Sequence, residues 1–366
     1  MNRKNPENLT DLSVVIPTWN GLHLLQENIP SIMTALEYFK NKLCKGYELI
    51  IVDDGSTDGT ENWVTKEYPK VNLIRWPINN GFSKACNAGF KVCHGQVVAL
   101  LNNDLQLDQD YFVHLYPHFT DDNVFAVTTK VFEWNSNIFA CGGRIGHFRR
   151  GFWSMYSNYD VQDDSSQDWI EQHRLLSACA IGGFAGYSRN KLNCLGGFNE
   201  LFSPFYWEDI DLSYRAWKRG WKVHYEPRSR SRHRTSATIN SSFDKHFVKM
   251  HSFKNRLLFH WINIHTSSYL LKHILLLVFL LLTRFVILDL VFYRALWEAL
   301  SKIGPALICR RIEKREAKMS DFELYRLLQD FYRKAPIEVF RSQKEVIQHH
   351  IGTATDPIQD SRRLSI

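Results

Sequence analysis

The chain has 366 residues, of which 45% are hydrophobic, 14% aromatic and 23% charged, with 19 glycines and 11 prolines. That length predicts about two units rather than one ordinary core, and the composition excludes a mini-protein, a wholly disordered chain and a collagen-like or low-complexity one. The net charge of +7 conceals an asymmetry, because residues 1–200 carry 17 basic against 22 acidic groups and residues 201–366 carry 28 against 16; the basic half predicts an anionic partner, whether membrane headgroups, nucleic acid or a phosphorylated substrate.

Met1 to Thr10 is polar with no apolar segment behind it, and the seven cysteines form no C-x-x-C pair, so the sequence reads as a reduced, cytosolic chain. Short apolar strands then alternate with helical stretches: Ser13 to Ile16, Glu48 to Val52, Asn72 to Ile74 and Val97 to Leu101. Spacings of that kind build right-handed βαβ units and a parallel sheet. From Phe132 to Gly197 aromatics, glycines and acidic turns predict long loops or a small mixed sheet over the strand ends, where substrate contacts often lie. A helix is predicted over Asp209 to Arg219, then a strand at Trp221 to Tyr225 within a basic run formed by Lys218, Arg219, Lys222, Arg228, Arg230, Arg232 and Arg234.

Tyr269 to Phe292 is the most apolar stretch, and Ile274 to Leu282 carries no polar residue. A bilayer span needs about 20 mainly apolar residues, and Lys272, His273, Arg284 and Asp289 interrupt this one. On a continuous helix Lys272, His273, Thr283, Arg284, Arg294, Glu298 and Lys302 share one third of the surface and Asp289 lies opposite, which favours a helix lying in the membrane interface. A true span and a buried core or dimer helix are the alternatives. The charged stretch from Cys309 to His350 predicts helix, and the end beyond it frays.

Four segments carry candidate chemistry. Asp53 and Asp54 end the second strand, where open parallel sheets bind ligands; they either accept hydrogen bonds from a pyrimidine N–H and ribose hydroxyls or merely shape a turn. Pro17, Thr18, Trp19 and Asn20 end the first strand with groups suited to stacking on a base. Asp104 follows Asn102 and Asn103 at the end of a later strand, placed either to hold a divalent cation on diphosphate oxygens or to close a turn. The run Phe205-Tyr206-Trp207-Glu208-Asp209 brings aromatics up to acids at a helix start, where the macrodipole stabilises them and apolar rings raise the pKa of a base. No P-loop, dinucleotide, zincin or hydrolase-elbow motif occurs. The aromatics Phe148, Phe152, Trp153, Tyr156, Tyr159 and Trp169 form either an acceptor-sugar platform or core.

In this order, I-P-T-W-N-G, V-D-D-G-S-T-D-G-T, N-N-G-F-S-K-A-C-N-A-G, L-L-N-N-D, L-G-G-F-N-E and W-E-D-I-D-L-S-Y-R resemble the family-2 inverting glycosyltransferases of the GT-A fold, above all a bacterial rhamnosyltransferase-like branch. The resemblance covers roughly Leu12 to Thr238. It implies an α/β, Rossmann-like, mostly parallel central sheet followed by a C-terminal helical, membrane-associated region. The implied division is a polar tail, 1–10; the GT-A domain, 11–240, with a nucleotide-binding half, 11–104, and an acceptor and catalytic half, 105–240; a helical membrane-associated region, 241–308; and a charged, partly helical tail, 309–366.

The resemblance also assigns roles. Asp209 becomes the general base and Glu208 its understudy. Pro17, Thr18, Trp19, Asn20, Asp53, Asp54, Asn80, Gly81, Phe82, Asn87 and Asn103 surround the nucleotide sugar, with Asp54 on the base. Asp104 and His233 hold Mg2+ or Mn2+. Asn102 stands where the family's D-x-D motif has its first acid, which removes one charge from that metal site, and Arg232 and Arg234 are alternative phosphate clamps. Asp211 and Arg215 read as a helix-surface i,i+4 ion pair worth about 0.3–0.5 kcal/mol. The implied enzyme transfers rhamnose or another hexose from a dTDP- or UDP-sugar to a lipid-linked or growing cell-surface glycan, attached peripherally through residues 269–302 to the cytoplasmic face of the plasma membrane. A nucleotide- or nucleic-acid-binding module and an inactive scaffold of the same fold are the alternatives, and nucleic acid is not an expected partner of the enzyme.

Overall fold

A computed structural model describes residues 10–161, 167–234, 244–341 and 345. The first half alternates as expected: β1 (Thr10–Thr18), α1 (Leu22–Leu43), β2 (Gly46–Asp53), α2 (Thr60–Glu67), β3 (Asn72–Arg75), α3 (Phe82–Val92) and β4 (Val97–Leu101). There follow β5 (Leu105–Leu107), α4 (Tyr111–Leu115), β6 (Val124–Glu133), β7 (Phe139–Cys141), β8 (Gly143–Arg149), β9 (Phe152–Val161), α5 (Gln167–His173), β10 (Leu175–Leu176), β11 (Phe184–Ser188) and α6 (Arg189–Leu195). The remainder comprises α7 (Glu208–Lys218), β12 (Lys222–His233), α8 (Lys245–Asn263), α9 (Ser267–Val286), α10 (Leu290–Ser301), α11 (Ile303–Glu316), α12 (Asp321–Lys334) and β13 (Ile337–Phe340).

The main sheet has the order β10-β12-β6-β11-β4-β1-β2-β3, with β5 on β12 and β7 on β6. Strands β3, β2, β1 and β4 run parallel, β12 runs parallel to β6, and β11 is antiparallel to both β4 and β6. The period of two along each strand buries both faces. Val15, Ile50, Val52, Val98 and Leu100 pack under α3 and α7, whereas Val14, Ile16, Leu49, Ile51, Ala99 and Leu101 pack under α1 and α4. In α1 the residues Leu25, Ile29, Ile32, Leu36 and Phe39 recur every three or four positions and form its buried stripe.

Three expectations change. The strand after α7 is longer than Trp221 to Tyr225, so His233 is its last residue instead of lying beyond it. The Phe132–Gly197 region does supply a small sheet, β13-β9-β8, but its third strand comes from the expected C-terminal tail. That tail's boundary at 308/309 falls inside α11. Local patterning could not reveal the third strand, because Ile337–Phe340 pairs with residues almost 180 positions earlier.

The apolar stretch is not one helix. It breaks at Ile287–Asp289, where Leu288 has φ 50° and Arg284 pairs with Asp289 at 2.9 Å, so Asp289 does not lie opposite Arg284. His273 leaves the expected polar arc and is buried, stacked on His260 at 4.9 Å between ring centroids. Among the described residues α9 is the one helix long and apolar enough to cross a membrane; its mean hydropathy is 2.0 and only 6% of its apolar window is buried. The buried-core alternative therefore does not hold.

Candidate active site

Parallel strands deliver their carboxyl ends to one edge, and the order β2-β1-β4 places a topological switch point between β1 and β4. A cavity of about 850 Å3 opens there, within the usual range for small-molecule sites. Pro17, Thr18, Trp19, Asp54, Gly81, Phe82, Asn103, Asp104, Glu208, Asp209 and His233 all line it. Residues separated by up to 216 positions in sequence thus share one cleft.

Asn20, Asp53 and Asn87 stand behind the wall instead of lining it. Asn20 ties two loops together, its Oδ1 accepting from the Thr57 N–H at 2.8 Å and its own N–H donating to Ser56 Oγ at 2.8 Å. Asp53 is fully buried, accepts from the Ser56 N–H at 2.9 Å and lies 3.7 Å from Arg75. Asn87 bridges α3 to the next loop through both the N–H and the carbonyl of Phe198, each at 2.9 Å.

Asp54 is held by two backbone donors. Asn80 N–H reaches Oδ1 at 2.7 Å and Gly81 N–H reaches Oδ2 at 2.9 Å, which leaves each oxygen a second lone pair facing the cleft. Burial raises its pKa, opposed by these hydrogen bonds. Gly81 has φ +94°, a conformation that penalises any Cβ; this is the local reason a glycine opens α3. Asn103 donates from Nδ2 to Thr18 Oγ1 at 2.8 Å and so joins β1 to the loop that carries Asp104.

Glu208 and Asp209 open α7. Before them Tyr206 and Trp207 have φ 70° and 77°, a strained conformation for bulky residues. Buried Asn255 of α8 over-determines that turn, its Nδ2 lying within hydrogen-bond reach of the carbonyls of Phe202, Phe205 and Tyr206. Burial, and after it the charge of Asp209, pushes the Glu208 carboxyl well above the usual range, and its Oε2 has no hydrogen-bond partner. Burial also raises Asp209, but the Gly182 N–H at 3.1 Å, the Ile210 N–H at 2.8 Å and the charge of Arg144 oppose the rise. Two adjacent carboxyls in one dry site do not ionise together easily. The donors decide the order: Asp209 carries the charge and Glu208 the proton.

Asp104 is 6% exposed and His233 Nε2 lies 3.1 Å from its Oδ1, which accepts no well-aligned hydrogen bond. Among the described residues no group of three or more His, Cys, Asp or Glu side chains gathers in ligating geometry. Two protein ligands on one wall suit a hard cation that also takes diphosphate oxygens and water, so the donor set fits Mg2+ or Mn2+ held jointly with a substrate. Asn102 does not join it; Gly183, with φ +104°, packs against the Asn102 side chain.

Most of the basic run is paired with acids. Lys218 pairs with buried Asp321 at 2.6 Å, Arg219 with Glu313 at 2.5 Å, Arg228 with Glu226 at 2.9 Å, Arg232 with Asp108 at 2.9 Å and Arg234 with Glu27 at 3.0 Å. Arg232 and Arg234 lie outside the cavity lining and face Asp108 and Glu27 instead of a phosphate in the cleft. Nor is Asp211–Arg215 a surface pair. It is buried at 2.7 Å, and Asn263, Leu195 O and Gly197 O satisfy its remaining groups.

Sequence reasoning missed Arg144, Gly182, Lys249, Arg256, Arg284 and Asp289, which also line the cleft. The 3- to 4-residue spacing of Lys249, Ser252, Phe253 and Arg256 was the available signal for one helix face. Of the aromatic cluster, only Trp153 reaches the cavity; Phe148, Phe152, Tyr159 and Trp169 pack in hydrophobic clusters, and the Tyr156 side chain lies outside the described residues.

The family profile described as glycosyl transferase family 2 matches residues 13–196. Human probable polypeptide N-acetylgalactosaminyltransferase 8 is 26% identical over 245 residues, 62% of this chain and 37% of that protein. Beta-monoglucosyldiacylglycerol synthase of Nostoc sp. is 27% identical over 186 residues, 48% of this chain and 36% of that protein. The chain thus spans little more than a third of the length of these curated relatives. The solved structure of GalNAc-T7 with UDP, GalNAc and Mn2+ superposes with a TM-score of 0.53 at 20% identity, over 72% of this chain and 49% of that one. The fold is accordingly GT-A-like, a mixed α/β domain with a mostly parallel central sheet and a helical C-terminal region.

Proposed function

The chain belongs to glycosyl transferase family 2, and from that premise we propose that it is an inverting hexosyltransferase using a nucleotide diphosphate sugar. One observation carries the reading: Asp54, Asp104 and Asp209 line a single cleft at the carboxyl edge of the sheet. Asp54 receives the base or ribose, and Trp19 and Phe82 flank it. Asp209 accepts the proton of the acceptor hydroxyl while that oxygen attacks the anomeric carbon; the bond to the diphosphate breaks on the opposite face, which inverts the centre. Asp104 and His233 would hold a divalent cation, whose charge would offset that of the departing diphosphate. Glu208, protonated, lends no competing charge.

The donor in this reading is dTDP-rhamnose or a UDP-sugar, and the acceptor is a lipid-linked or growing surface glycan. Residues 11–240 form the transferase unit. The helices after residue 240 attach it to the cytoplasmic face of the plasma membrane, supported by the exposed outer faces of α9 and α10.

Released nucleoside diphosphate, measured with a panel of UDP- and dTDP-sugars, Mn2+ and membrane-extracted lipid-linked acceptor, tests the function. Acceptor-dependent release supports it. Absence of binding and turnover with every donor sinks it.

A further inference from the structure

Besides the carboxyls Asp54, Asp104, Glu208 and Asp209, and Arg144 whose charge acts on Asp209, the cleft lining has a basic wall built by α8 and the α9–α10 break: Lys249, Arg256 and Arg284, the last paired with Asp289 at 2.9 Å. These cations arise by construction. Lys249, Ser252, Phe253 and Arg256 occupy one face of α8 at helical spacing, and the break between α9 and α10 turns Arg284, Val291 and Phe292 inward. The Arg256 guanidinium lies 4.0 Å from the Phe152 ring centroid, and its Nη2 is 3.3 Å from Ser154 Oγ, so its plane is fixed before any ligand arrives. Lys249 is exposed and has no salt-bridge partner among the described residues.

The rim of this basic wall continues into an apolar surface. Leu282, Phe285, Val286, Ile287, Leu288 and Leu290, on these two helices and the break between them, are each at least 64% exposed. A ligand entering there meets cations inside the cleft and hydrocarbon-seeking side chains outside it.

Resting on the transferase reading, we infer that Lys249, Arg256 and Arg284 form an acceptor subsite for the phosphate head of an alkyl or isoprenyl phosphate, whose chain runs along the α9–α10 surface. The anion thus belongs to the acceptor. The donor diphosphate belongs in this reading to Asp104 and His233, which would hold it through a cation.

Calorimetric titration of the full chain with farnesyl phosphate, farnesol, inorganic phosphate and UDP plus Mn2+ tests this. Farnesyl phosphate should bind at least tenfold tighter than farnesol or inorganic phosphate. Arg256→Gln should weaken it about 10- to 100-fold, as loss of a charge-assisted bond does. Lys249→Gln, at an exposed position, should weaken it several-fold with an unchanged melting temperature, which guards against misfolding of the arginine variant. UDP affinity should stay within twofold in both. Equal binding of farnesol, or no effect of either substitution, overturns the subsite. So does a parallel loss of UDP affinity, which would assign the cations to the donor. Displacement of farnesyl phosphate by phosphatidylglycerol vesicles in an Arg256-dependent manner would overturn it in favour of bulk lipid headgroups. Failure of UDP and every nucleotide sugar to bind the unaltered chain is a separate result and strikes the transferase reading alone.

Discussion

Asp209 and Glu208 are neighbours in sequence with different surroundings, two backbone N–H groups being aimed at Asp209 and none at Glu208 Oε2, and the proposed roles rest on that difference. Asp209→Asn should lower kcat by about 10²- to 10⁴-fold, the usual worth of a general base, while nucleotide binding measured by calorimetry is retained. Glu208→Gln keeps a neutral side chain of the same shape and should retain most turnover; a loss equal to that of Asp209→Asn would reverse the two roles. The base must be unprotonated, and burial raises its pKa. Transfer should therefore fall as pH drops through a value above the ordinary aspartate range, read as the acid limb of a kcat/KM profile. Asp104→Ala should weaken Mn2+-dependent UDP binding and leave metal-free binding unchanged.

Helix α7 is aimed from behind. The Tyr206–Trp207 turn depends on Asn255, and the body of the helix is locked by the Asp211–Arg215–Asn263 network. Removing one member of a buried ion pair leaves the other uncompensated, at about 3–5 kcal/mol. Arg215→Met should accordingly lower the melting temperature measured by circular dichroism far more than a surface i,i+4 pair would. Asn255→Ala should reduce kcat with a smaller loss of stability, because it frees the turn that presents Glu208 and Asp209.

On the scale of the molecule, the C-terminal helices both complete the fold and present its apolar face. Asp321 of α12 accepts from Lys218 and Tyr214 of the catalytic unit, and β13 adds a strand to β9. Meanwhile α9 and α10 leave large side chains uncovered, beyond what isolated surface residues explain. Leu282→Glu with Phe285→Glu should abolish sedimentation with phosphatidylglycerol vesicles and leave UDP binding intact; sedimentation equal to the unaltered chain would remove the membrane role of this face.

The alternating strands and helices of the first hundred residues were legible in the sequence because their signals are local. Apolar runs ending in Pro17, Asp54 and Asn103 announce strands and their exits, and the parallel arrangement then puts those exits on one edge whatever the loops do. The place of Asp209 at a helix start was also legible, since acids after an aromatic run are a local pattern. Tertiary structure decided what depends on partners far away: that Lys218, Arg219, Arg228, Arg232 and Arg234 pair with Asp321, Glu313, Glu226, Asp108 and Glu27, that Asp53 and Asn87 brace the wall instead of lining it, and that Arg256 and Arg284 reach the cleft. A charge in the sequence has a sign but no partner, and only packing shows whether it is neutralised or left facing a ligand.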